Sequence, residues 1–322
     1  MNDVIKNRSE IVFLYDIKDA NPNGDPMDEN KPRIDEETEI NIVTDVRLKR
    51  TIRDYLHDFK DERIFIIEEM NEKGEQKTRE ARLNELNINT MEKGKELLRK
   101  YIDLRLFGAT IAVRDMPLIW IGPVQFRFGR SLHKVEINTV KGTSVMPTEE
   151  GKKSGALVET HILYYSLICF YGIINENAAR ETGLTEEDVN KLLDGIWNGT
   201  KNLITRSKIG QMPRFLLRVI YNENNFHIGD LDRKIKLVYA KDNKEVISGK
   251  EIRNISEVKI DMTDLINTLK DYKDKIKEIQ YEVNNDVTFL INGNDYKGPK
   301  IEEQLKINEN MVKRLNLEIT KN

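Results

Sequence analysis

Between Asn41 and Leu56 the sequence NIVTDVRLKRTIRDYL carries Arg47, Lys49, Arg50 and Arg53. In a helix, Lys49, Arg50 and Arg53 fall within about one and a half turns. Cations at that spacing suit a polyanion, because guanidinium groups grip phosphate oxygens through paired N–H donors and an ammonium adds a point charge. A merely solvated helix face explains the same spacing, and spacing alone does not choose between the two. A second basic cluster, Arg206, Lys208, Arg214 and Arg218, surrounds Gly210, a residue that lets backbone approach a ligand closely. A third comprises Arg130, His133, Lys134, Lys141, Lys152 and Lys153, in and just before the segment SLHKVEINTVKGTSVMPTEEGKKSGALVE. None of the three resembles the aromatic motif on which RNA-recognition sheets stack bases, so the expected mode is tracking of a sugar–phosphate backbone.

Other chemistry is thinner. The loop DIKDANPNGDP, continued by Met27 and Asp28, offers carboxylates at Asp19, Asp25 and Asp28 that suit a divalent metal through oxygen ligands. The same residues are ordinary turn formers whose side chains accept hydrogen bonds from nearby backbone, and that reading is the stronger. No phosphate-binding glycine loop, nucleophile elbow, HExxH or paired CxxC occurs, so neither an enzyme active site nor a cofactor is expected. The four histidines, His57, His133, His161 and His227, lie in separate segments without ligand spacing, and His161 reads as a satisfied sheet residue.

These residues sit in a chain of 322 with 33% charged side chains and a net charge of only −3, so attraction to a polyanion must come from local clustering. The single cysteine, Cys169, lies in the apolar run ILYYSLICFYGII. No internal disulfide framework is possible, the run is too short for a membrane helix, and the N-terminus lacks an apolar signal core; a cytoplasmic protein with no membrane partner is expected.

The elements that hold the clusters follow from periodicity. IVFLY, Ile11 to Tyr15, predicts a core strand, and Thr44 predicts the N-cap of a helix running to about Phe59. On that helix Leu48, Ile52, Tyr55, Leu56 and Phe59 share an apolar arc, with Arg47, Lys49, Arg50, Arg53 and His57 fanned across the adjacent face. Residues 60–105 read as a charged helical insertion with little apolar surface. LIWIGPVQFRF, the run from His161 to Ile174, and FLLRVIY predict further strands, with a capped helix opening at Thr185 between the last two. The order is that of an α+β fold, a split βαβ palm of the RRM or ferredoxin-like kind, whose antiparallel sheet has helices on one face and leaves the other available. Strands are expected near Lys234 to Ala240 and Val287 to Ile291. Between them Leu265, Leu269, Tyr272, Ile276 and Ile279 form a helix-period stripe expected to dock on its own sheet.

The blocks SEIVFLYDIKDANPNGDP, PRIDEETEINIVTDVRLKRTIRDYL, LFGA and GPVQFRFGRS, in that order and spacing, resemble the CRISPR-associated Cas7 family of the RAMP superfamily, most closely its subtype I-B form. The match covers roughly the first 130 residues and extends weakly through TEEDVNKLL and SKIGQMPR to about Asn222. The resemblance implies an RRM-like palm, residues 1–59 and 106–240, whose copies polymerise along a CRISPR guide RNA as the non-catalytic backbone of a Cascade complex. Residues 60–105 would be the insertion, 131–159 a long thumb hairpin, and 241–322 an extension packed on the palm. It further implies RNA contacts by Asn21, Asn23, Gly24, Arg47, Lys49, Arg50, Arg53, Arg206, Lys208, Gly210 and Arg214. On the thumb, Lys134, Lys141, Met146, Lys152 and Lys153 would meet the guide and the neighbouring copy. Implied partners are the guide, a target DNA strand read through it, copies of the chain and other Cascade subunits, with no metal. Some RNA-cutting relatives use an aspartate of the first loop, so the alternative is a metal-dependent ribonuclease acting through Asp25, Asp28 and Asp19.

Overall fold

The computed structural model describes residues 3–111, 117–143, 157–307 and 312–317. At its centre is β1, Ser9–Ala20, flanked by two antiparallel neighbours, the 18-residue strand Leu157–Ile174 and the strand Met212–Tyr221. The sheet continues past Met212–Tyr221 through Ile276–Val283 and then Val312–Arg314, the last running parallel to its neighbour. On the other side Leu157–Ile174 pairs with Gly129–Lys134, which pairs in turn with Ile40–Val43. Ile137–Thr143 pairs with the near end of the 18-residue strand and Val124–Phe126 with its far end. The result is a ten-stranded mixed sheet.

β1 reads as a continuous apolar run because both faces of the sheet are covered. Ile11, Phe13, Tyr15 and Ile17 share a core with Leu48, Ile52 and Leu56 of the basic helix and with Leu192, Leu193 and Ile196 of the helix Glu186–Lys201. Val12 and Leu14 belong to a second core with Leu265, Ile266, Leu269 and Phe289. The expected open face is therefore closed, by a C-terminal unit in which Lys236–Tyr239, Val258–Asp261, Thr288–Ile291 and Asn294–Lys297 form a four-stranded sheet.

The basic helix, α1, spans Asp45–Lys60 and starts as expected, with Thr44 Oγ1 accepting from the Arg47 amide. It stops where Asp61 enters the left-handed region at φ 53. The C-terminal stripe divides differently. Leu265 and Leu269 lie on the helix Thr263–Asp271, whereas Ile276 and Ile279 lie on a strand of the main sheet. A helical spacing was coincidental there, because the free edge of Met212–Tyr221 supplies strand pairing that outweighs local pattern.

The insertion is also more than a charged appendage. Helices Arg79–Glu85, Met91–Lys100 and Ile102–Phe107 enclose a small core of their own that includes Phe65, Leu83, Leu97, Leu104 and Trp120. LIWIGPVQFRF is β-rich as expected and divides at Gly122 and Pro123: Leu118–Ile121 pairs with Gly108–Ile111, and Val124–Phe126 joins the main sheet. The split needs two glycines back to back. Gly108 sits at φ 66, where a Cβ would lie 2.1 Å from Trp120 O, and a Cβ on Gly122 would lie 2.0 Å from the Phe107 carbonyl carbon. Backbone cannot yield as a flexible side chain does, so Gly122→Ala is expected to destabilise the fold by about 2–3 kcal/mol, read from the midpoint of urea unfolding.

Candidate nucleic-acid interface

Three segments remote in sequence meet at the first turn of α1. The loop after β1 docks on it through Asn23, whose Oδ1 accepts from both the amide and the hydroxyl of Thr44 at 2.9 Å. The same loop is tied to the turn before Met212–Tyr221: the Asn21 amide donates to Ser207 O at 2.8 Å, and Lys208 Nζ donates to Asn21 O at 3.0 Å. Gly24 closes the loop tightly, since a Cβ there would lie 2.1 Å from Asn30 Oδ1. Arg47 rises from α1 beside these groups, with Nη2 donating to Thr51 Oγ1 at 3.1 Å. Asn21, Asn23, Gly24, Arg47 and Lys208, five of the eleven residues that the resemblance implies as RNA contacts, thus lie in one corner.

The corner is cationic and only partly hydrated. Burial, with the Arg47 charge adding to it, pushes the Lys208 ammonium down to about 8. Burial lowers the Arg47 pKa too, with Arg50 acting in the same sense against the opposing charge of Asp54. Neither cation makes an ion pair among the described residues. Two polar atoms here, Arg47 Nε and Asn21 Oδ1, are buried without a hydrogen-bond partner.

A family model described as CRISPR-associated protein Cas7 matches residues 7–263. The chain belongs to the Cas7 family. A CRISPR-associated protein Cas7 of Haloferax volcanii is 34% identical over 299 residues, covering 84% of this chain and 85% of that one. Two solved structures share the fold. A chain of a CRISPR RNA-guided surveillance complex, pre-nicking, aligns with a TM-score of 0.55 at 12% identity, over 93% of this chain and 99% of that one. A chain of a second CRISPR RNA-guided surveillance complex aligns at 0.50 and 14%, over 86% and 88%.

In this Cas7-family chain the other basic residues of α1 are already engaged. Lys49 Nζ lies 2.9 Å from Asp45 and 3.4 Å from Gln125 Oε1, and Arg50 contacts Asp54 at 2.7 Å and Glu68 at 3.3 Å. Arg53 departs from the fan of exposed cations. It is only 8% exposed, packs its guanidinium over the Phe107 ring and pairs with buried Asp103 at 3.1 Å. Helical angle alone placed it beside Lys49; the helix Ile102–Phe107 folds over that side and encloses it.

Around Gly210 the cluster also divides. Arg206 is exposed and Gly210, at φ 88, has open space where a Cβ would stand. Arg214 turns inward, 2.9 Å from Asp16 and 3.0 Å from Asn284 Oδ1. Burial outweighs that pairing and holds the Asp16 carboxyl above its ordinary range. Arg218 is fully enclosed, bonded to Ser9, Gln280 and the Glu186 carboxylate. Of the thumb residues, Lys134 pairs with Glu39 and Lys141 with Glu159, each at 3.1 Å, the latter across the hairpin. Met146, Lys152 and Lys153 lie outside the described residues.

His161 is placed as a satisfied sheet residue, its Nδ1 meeting Thr139 Oγ1 at 2.9 Å. His133, grouped by sequence with the third basic cluster, is instead buried in the sheet: burial depresses its pKa, and its Nε2 accepts from the Leu167 amide. In the acidic loop, Asp25 Oδ2 pairs with Arg33 at 2.7 Å while Oδ1 accepts from the Met27 amide. Asp28 pairs with Lys31 at 2.7 Å, and Asp19 is exposed at φ 49. Among the described residues these carboxylates form no group of three that would hold a metal. Arg33, which fastens this loop, was not singled out in the sequence reading, because its pairing with Asp25 joins two irregular stretches that share no period. No described helix is long and apolar enough to cross a membrane.

Proposed function

We propose that this chain is a non-catalytic Cas7 subunit that binds CRISPR guide RNA through its phosphates. In this reading it polymerises with copies of itself along the guide to form the backbone of a type I-B Cascade DNA-interference complex. The observation that carries the reading is the corner of Arg47 and Lys208: two neighbouring, partly desolvated cations with no ion pair among the described residues, whereas the buried Arg53, Arg82 and Arg218 are each matched by a carboxylate. Holding like charges together away from water costs stability, and an anion bound between them offsets that cost. In this reading the thumb is built on the hairpin in which Ile137–Thr143 pairs with the near end of Leu157–Ile174, and the main sheet with its two helices serves as the palm. The target strand is read by base pairing with the guide, other Cascade subunits complete the particle, and the setting is cytoplasmic.

The test is to express the chain with and without a CRISPR array, measure its absorbance ratio, and size and sequence any bound RNA. Discrete repeat-containing RNA in a large particle is expected. Affinity for added guide should fall with salt, with a log–log slope of about −0.7 for each phosphate neutralised. A nucleic-acid-free monomer that fails to bind guide at low salt overturns the reading.

A further inference from the structure

Asn21 is only 2% exposed, and its side-chain amide is held in one orientation. Nδ2 donates to Asn30 O at 2.7 Å. Turning the amide over would set Oδ1 against that carbonyl, oxygen to oxygen, so the assignment is fixed by chemistry. The backbone of the same residue is engaged on both sides, by Ser207 O and by Lys208 Nζ. Oδ1 is left as a buried acceptor with no donor among the described residues, and in the same corner Arg47 Nε is a buried donor with no acceptor among them.

A buried polar atom without a partner calls for an explanation, and two of opposite character in one corner restrict what would satisfy them. A phosphate offers acceptors only; it answers Arg47 and Lys208 and leaves Asn21 unmet. A ribonucleotide brings, next to its phosphate, a 2′-hydroxyl that donates. A deoxyribonucleotide has nothing at that position. We propose that Asn21 Oδ1 accepts a hydrogen bond from a ribose 2′-hydroxyl of the strand whose phosphate Arg47 and Lys208 hold, making this corner a selector of RNA over DNA. This deepens, and rests on, the guide-binding reading. In the proposed complex Arg47 and Lys208, both on long stems, turn their charged ends to the phosphate. The loop and the turn around Lys208 then fix the acceptor while the cations fix the phosphate.

The experiment uses the full chain and single-stranded oligonucleotides of one sequence, about 12 nucleotides long, as ribose, 2′-fluoro and 2′-deoxy forms, with Kd from fluorescence anisotropy. The 2′-fluoro form keeps the ribose pucker and removes only the donor. Wild type is expected to bind the ribose form about 5- to 10-fold more tightly than the 2′-fluoro form, the range of one hydrogen bond to a buried acceptor. In Asn21→Ala that ratio collapses towards 1, whereas Arg47→Ala weakens both forms alike and keeps the ratio. A wild-type ratio of 1, or an Asn21→Ala ratio equal to that of wild type, overturns the proposal while the guide-binding reading stands. No binding of any form at low salt removes both. Should Asn21→Ala fail to fold, the wild-type ratio decides.

Discussion

Reversing both corner charges, Arg47→Glu with Lys208→Glu, is expected to lower guide RNA affinity by at least about 100-fold, since two charge-assisted phosphate contacts are lost and repulsion replaces them. Neither side chain makes an ion pair among the described residues, so the change orphans no buried carboxylate, and a glutamate at position 47 suits the first turn of α1. Lys49→Glu should have a smaller effect, because Lys49 is already neutralised by Asp45. The double glutamine variant separates lost attraction from added repulsion and should lie between. Affinity should also fall as pH rises through about 8 in wild type. The free ammonium sheds its proton there, whereas phosphate needs it charged. Lys208→Arg should flatten that profile. Stability moves the opposite way: between about 8 and the ordinary lysine value the unfolded chain holds a proton that the folded chain has released, so wild type gains stability with rising pH in that window. Anisotropy titrations and thermal melts across pH 7–10 read both trends, and an affinity independent of pH would remove Lys208 from the interface.

How much of this was legible beforehand depended on whether the cause was local. The start of α1 was readable because a cap needs only Thr44 and the three residues after it. The apolar arc was readable because Leu48, Ile52 and Leu56 recur at the helical period. Arg53 was not, since its burial depends on Asp103, fifty positions away in sequence, and periodicity carries no information about which element covers a given face. The same limit hid the second face of the sheet: Val12 and Leu14 announce burial without naming Leu265 and Phe289 as the cover. Asn21 and Lys208 are separated by 187 positions. Composition and spacing offered no reason to join them, and only the family resemblance did. Net charge was uninformative for a physical reason as well: many cations here are paired with a neighbouring carboxylate, so the sum conceals where a partly buried pair, Arg47 and Lys208, has no such partner among the described residues.

Asp103→Ala is expected to destabilise the protein by about 3–5 kcal/mol, the range for removing one partner of a buried ion pair. Three groups lose their acceptor at once. Arg53 Nε donates to Asp103 Oδ2 at 3.1 Å, and the amides of Phe65 and Ile66 donate to the same carboxylate at 2.8 and 3.0 Å. Asp103 is completely enclosed, so no water replaces it without rearrangement. The carboxylate therefore pins α1, the start of the insertion and the helix Ile102–Phe107 together. Asp103→Asn, which keeps one acceptor and the volume but not the charge, should fall short of the alanine loss, and urea unfolding midpoints will rank the two. The consequence for function is specific. Arg53→Glu would bury two carboxylates face to face, so RNA lost from that variant would report damage to the fold. Arg53→Met, which fills the space over Phe107 without charge, is the informative change. If Arg53 serves the fold, Arg53→Met lowers stability while the folded fraction, assayed at low temperature, binds guide as tightly as wild type. Were Arg53 a phosphate ligand, the same variant would lose affinity about tenfold and shed about one phosphate from the salt slope. The two outcomes separate the helix into a side that holds RNA and a side that holds the insertion, with Arg47 on the first and Arg53 on the second.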